Sequence, residues 1–163
     1  MQEALIILEQ GTRHQFADWP NPDVPEVAAG VYTIWDGTSL IYCGMAGRSL
    51  TVESLLAHRE DATKVTGLRV RLGSHASGRR SGDQFCIYVA DRLMMPQLTS
   101  LQIAAIARRE LSFDNLVRDY IRQRLSYRFA ETKAGTEARD LERAVQEGAL
   151  DAGKPLLNPR GRS

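Results

Sequence analysis

The feature that constrains this chain most is residues 30–44, GVYTIWDGTSLIYCG, which reads as two short β-rich runs around an Asp-Gly turn. Val, Ile, Thr, Tyr and Trp suit a pleated surface, and Asp36-Gly37 tolerates the positive φ of a hairpin loop. Each run carries a tyrosine close to a glycine, as Gly30-Val31-Tyr32 and Tyr42-Cys43-Gly44. The loop length decides what such a hairpin can do. Residues facing each other across an antiparallel pair share a face, and faces alternate along each strand. A plain two-residue loop at Asp36-Gly37 sets Tyr32 against Ile41 and sends the phenols to opposite faces. A three-residue loop, Asp36 to Thr38, sets Tyr32 against Tyr42. A site shared by both tyrosines therefore needs an odd-numbered loop or a bulge. Without one, the tyrosines are packing residues of a core hairpin.

At 163 residues the chain fits a single domain with a proper core. No apolar run approaches a membrane span. Ala4 to Leu8 is flanked by Glu3 and Glu9 with no basic leader, so no signal peptide is read and a cytoplasmic protein is expected. The two cysteines, Cys43 and Cys86, fall in expected strands and read as buried thiols, although one disulfide is compatible with the sequence. No Cys/His spacing suggests zinc. A net charge of +1 does not announce a nucleic-acid binder. The distribution of charge says more: residues 64–80 carry Lys64, Arg69, Arg71, Arg79 and Arg80 and no acid. Such a run is either a solvated basic face or a set of phosphate contacts.

Residues 1–26 read as an N-terminal arm, with a short helix and a Pro-rich connector from Trp19 to Pro25. Residues 27–163 read as one domain. After the hairpin, Ser49 is expected to cap a helix bearing Leu55, Leu56 and His58. Residues 68–77 form a helix on which Arg71 and His75, four apart, share a face. Gln84 to Ala90 is nearly all apolar and is expected to be a third, central strand. Residues 97–110 and 113–124 have helical spacing, and residues 126–130 suit a short extra strand. The last helix, residues 135–150, buries Ala138, Leu141, Ala144 and Val145, with Glu137 and Glu142 at the margin of that stripe. The expected class is α/β (α+β): a small three-stranded antiparallel sheet flanked by helices.

Taken in order, GVY, YCG, Arg71-Leu72-Gly73-Ser74-His75, Leu141-Glu142 and Lys154-Pro155-Leu156-Leu157-Asn158 resemble the GIY-YIG nuclease family over about residues 28–159. The resemblance implies that fold and a metal-dependent DNA endonuclease. It implies that Tyr32 and Tyr42 are the motif tyrosines, Arg71 and His75 the helix pair, Glu142 the metal-binding glutamate and Asn158 the late asparagine. Tyr32 would order or deprotonate the attacking water, His75 would take or pass that proton, and Tyr42 would position the water or the phosphate. Arg71 would hold the scissile phosphate. Asn158 would brace the site or touch phosphate. Glu142 would bind one Mg²⁺ or Mn²⁺. Arg48, Lys64, Arg69, Arg79 and Arg80 are expected on nucleic acid, with Arg48 and Arg69 as rivals for the role of Arg71. Val31, Cys43, a long gap from Tyr42 to Arg71 and the helices of residues 97–124 depart from the compact family pattern. DNA is the expected partner, with RNA open and no membrane. Cutting both strands would take a homodimer or successive nicks. The alternative is a nucleic-acid-binding module of the same fold without useful activity.

Overall fold

A computed structural model of the chain describes residues 1–158; the last stretch of the expected domain, residues 159–163, lies outside the described residues. The elements run α1 (Gln2–Gln10), β1 (His14–Gln15), β2 (Val27–Asp36), β3 (Ser39–Ala46), α2 (Val52–Glu60), β4 (Thr66–Gly67), α3 (Leu68–Ser77), α4 (Gln84–Val89), α5 (Ser100–Ala107), α6 (Phe113–Arg124), β5 (Leu125–Thr132) and α7 (Gly135–Glu147). The molecule is mixed α/β, with a sheet flanked by helices. That sheet has five strands rather than the expected three, in the order β1-β5-β2-β3, with β4 pairing β2 in parallel and the other pairs antiparallel.

The third long strand is not the expected one. Gln84 to Val89 is helix α4, continued by a π-helical turn at Ala90–Met94, so Cys86 lies on a helix. The strand is β5, an extension of the short one expected at residues 126–130. Its alternation explains the choice: Leu125 and Tyr127 join one core while Ala130 joins the other. Asp83 explains the helix, because its side chain accepts from Cys86 N–H as an N-cap. The helix after the hairpin, α2, is capped by Thr51, whose side chain forms a capping box with that of Ser54, rather than by Ser49.

β2 lies between β3 and β5 and is buried along nearly its whole length. One face carries Tyr32 and Ile34 beneath α3, α4 and α6. The other carries Val31, Cys43 and Met45 beneath α1 and α7. The first 26 residues are built into this sheet. Leu8 and Phe16 are fully buried, β1 pairs with β5, and Thr33 Oγ1 donates to Leu8 O at 2.7 Å. Both cysteines are buried free thiols. No helix among the described residues is long and apolar enough to cross a membrane.

Candidate functional site

The hairpin meets the condition for a shared site through a bulge. Asp36 pairs with Ser39 and Trp35 with Leu40, so the loop is Gly37-Thr38, with Gly37 at φ 59°. The register then slips, so that Ile34 faces Tyr42 and Tyr32 faces Gly44. The extra residue is Ile41. The slip puts both phenols on one face, diagonally related rather than directly opposed, with ring centroids 6.5 Å apart. Gly44 is what allows this. A Cβ there would run into the Tyr32 hydroxyl and ring and crowd Tyr42. Gly30 serves similarly under α3, where a Cβ would meet the Ala130 carbonyl and the Leu68 side chain.

β3 is an edge strand, and unpaired edges invite association unless covered. The C-terminal segment covers part of it. Leu156 and Leu157 N–H donate to Leu40 and Ile41 O, and the Asn158 amide both donates to and accepts from the Cys43 backbone at 2.8 Å. Asn158 is therefore a buried brace of β3, with its amide committed to Cys43. Beyond Cys43 the strand and its following loop open into a cleft of about 290 Å³. Tyr32, Tyr42, Arg71, His75 and Glu142 line it together.

α3 delivers Arg71 and His75 to this cleft four residues apart. His75 is buried, and its Nε2 lies 2.8 Å from the Tyr32 hydroxyl. Its Nδ1 lies 2.7 Å from Asp83 Oδ2, which also accepts from Ser74 Oγ at 2.6 Å. Burial pushes the Asp83 carboxyl up, but the His75 hydrogen bond and charge, Ser74 Oγ and the Cys86 N–H outweigh it and hold the group down to about 2. An ionised Asp83 accepts from Nδ1–H, which leaves Nε2 to accept the Tyr32 proton. Asp83 is the functional residue that sequence reasoning missed. Its signal was an acid just ahead of an apolar run, the mark of a helix N-cap.

Burial, reinforced by Tyr42, pushes the Tyr32 phenol well above its ordinary range, with Arg71 pulling the other way. Burial and Glu142 push Tyr42 up as well. Both are neutral hydroxyls at physiological pH. Burial likewise raises the Glu142 carboxyl, opposed by Arg48, the Met45 backbone and Arg71. Glu137, the other glutamate at the margin of α7, accepts from Lys133 N–H instead and does not line the cleft. Gly135 seats α7 against the loop after β3: its N–H donates to Leu50 O at 2.8 Å, and a Cβ would strike the Gly47 and Arg48 carbonyls.

The expected nucleic-acid contacts divide. Arg48 lines the cleft. Lys64 and Arg79 are exposed. Arg69 is taken up by the Asn21 and Val24 carbonyls, Glu26 and the Trp19 ring, and so ties the N-terminal connector to α3. Arg80 pairs with Asp114 and lies over Phe113.

Two groups of side chains offer cation ligands. His75, Asp83 and Cys86 present donors within 4.8 Å of one another. They already satisfy each other: both His75 nitrogens are bonded, and the Cys86 thiol, its pKa raised by burial, donates to His75 O. Glu142 differs. It is one carboxylate on an open cleft, where waters and phosphate oxygens have room, and that donor set suits Mg²⁺. No family model, curated protein or solved structure matches the chain. The functional reading rests on the residues themselves.

Proposed function

We propose that this chain is a metal-dependent endonuclease that hydrolyses DNA phosphodiester bonds with a GIY-YIG-type site. The observation that carries the reading is the hydrogen-bonded chain Tyr32–His75–Asp83 lining the same cleft as Arg71 and Glu142. Hydrolysis of a phosphodiester needs a water that loses its proton, neutralised phosphoryl oxygens and a stabilised leaving oxygen. Tyr32 supplies the first as a relay. Its hydroxyl hydrogen is directed at His75 Nε2, so its oxygen is free to accept a water proton while its own passes to the imidazole. A neutral phenol suffices, which agrees with the raised pKa of Tyr32. Asp83 holds His75 in the accepting tautomer and stabilises the imidazolium that forms.

Arg71 binds the scissile phosphate through its planar fork of donors. Tyr42, kept neutral, donates a hydrogen bond to a phosphate oxygen or the water. Glu142 would hold the divalent ion, Mg²⁺ or Mn²⁺, which when bound offsets charge on the leaving 3′-oxygen. Asn158 acts at one remove, by fixing the backbone between Tyr42 and Gly44.

The test is incubation of plasmid, single- and double-stranded DNA and RNA with Mg²⁺ or EDTA. Wild-type protein is expected to nick DNA only with the metal. Tyr32→Phe should lower the rate by about 10²–10⁴ and Glu142→Ala should abolish it. Cutting that survives EDTA and both substitutions overturns the mechanism. Binding without cutting by any form would favour the inactive-module reading, and cutting of RNA alone would reassign the substrate.

A further inference from the structure

The cleft adjoins a second cavity across a shared wall. That cavity, of about 340 Å³, shares Ala46, Gly47, Arg48 and Arg71 with the first. Arg48 and Arg71 thus stand on the boundary between two chambers. Neither guanidinium has an ion-pair or hydrogen-bond partner among the described residues, unlike Arg69 and Arg80. Ser49, Thr66, Val70 and Ser74 complete much of the second chamber's wall, and no acid lines it. A pocket with two cations at one end, whose nearby acid Glu142 lines only the first chamber, and with hydroxyls on its own walls fits a phosphodiester backbone. Its size matches a nucleotide rather than a lone phosphate ion.

We propose that the second chamber receives the nucleotide adjoining the scissile phosphate, so that one strand threads both chambers with Arg48 and Arg71 between successive phosphates. This rests on the hydrolase reading for the placement of the scissile bond in the first chamber. It also narrows the substrate to a polynucleotide strand, because a small diester would fill the catalytic chamber alone.

Val70 gives a clean handle. It lines the second chamber yet is 54% exposed on α3, so a charged side chain there is tolerated by the fold. Val52, 48% exposed on α2, lines neither chamber and is the control. A fluorescein-labelled single strand of about twelve nucleotides is titrated by anisotropy in EDTA, where no cutting is expected. Val70→Glu is expected to weaken binding about tenfold, Val70→Lys to bind at least as tightly as wild type, and Val52→Glu to leave affinity unchanged. Wild-type affinity in Val70→Glu, or an equal loss in Val52→Glu, overturns the proposal. With Mg²⁺, Val70→Glu should slow cleavage of the oligonucleotide more than cleavage of thymidine 5′-p-nitrophenyl phosphate; equal slowing of both also overturns it. If cleavage survives EDTA, Tyr32→Phe and Glu142→Ala, the placement of the scissile bond in the first chamber falls, while the binding result still decides the groove.

Discussion

At the scale of single residues, the site depends on Asp83, which lines the cleft with 1% of its surface exposed and acts on it through His75. Its carboxylate fixes which imidazole nitrogen is bare. Asp83→Asn keeps the shape and the N-cap but lets an amide N–H face Nδ1, which favours the tautomer with the proton on Nε2. That tautomer cannot accept from Tyr32. The expected outcome is a fall in kcat of about 10² or more, by analogy with other oriented imidazoles, with KM little changed. A purely structural role would lower thermal stability without moving the pH–rate profile, so both are measured. Asp83 also makes an acid-stability prediction. Its folded pKa is depressed from 3.8 to about 2, so its contribution is present above pH 4 and is lost as pH falls towards 2. The pairing of Arg71 with His75 was legible from their spacing of four on a helix. Asp83 was not, because the segment after it had been assigned to a strand.

At the scale of elements, the hairpin shows what a sequence conveys and what it withholds. Its two strands follow from local β propensity, and so does the need for an odd loop or a bulge. The bulge itself is a property of pairing: Ile41 drops out of register yet stays buried in the core, Gly44 leaves room for the Tyr32 ring across β3, and no window of β3 alone reveals that. Residues 84–90 show the opposite failure. An apolar run of that length suits a buried strand or a buried helix equally, and the N-cap decided it. Glu142 was legible as a marginal position on α7, but Glu137 was equally marginal; only the docking of α7 against the Gly47-Arg48 loop separates them. Gly44→Ala tests the hairpin's role. The added methyl must displace a phenol that is buried and hydrogen-bonded to His75. The expected cost is about 1–3 kcal/mol in urea denaturation, with loss of nicking beyond what the unfolded fraction explains. Wild-type stability and activity in Gly44→Ala would show that the ring has other room.

At the scale of the whole molecule, the site and the fold make opposite demands on Glu142. Burial raises its pKa above the unfolded value, so the folded state binds a proton more readily than the unfolded state. Stability contributed by the protonated form is therefore lost as pH rises through the window above about 4.5, the reverse of Asp83. Glu142→Gln removes this loss. It is expected to be more stable than wild type at pH 7, with the difference closing as pH falls below about 4.5. A divalent ion on Glu142 would restore what ionisation costs. Mg²⁺ at ten times its dissociation constant should stabilise the folded wild type by about 1.4 kcal/mol through mass action, read as a rise in Tm, and leave Glu142→Gln unmoved. The experiment needs no substrate and no turnover, so it separates metal binding from catalysis. An equal Mg²⁺ shift in both proteins would place the ion elsewhere. No shift in either, with Glu142→Gln still the more stable, would mean that the half-buried carboxylate meets its cation only when a phosphate completes the coordination.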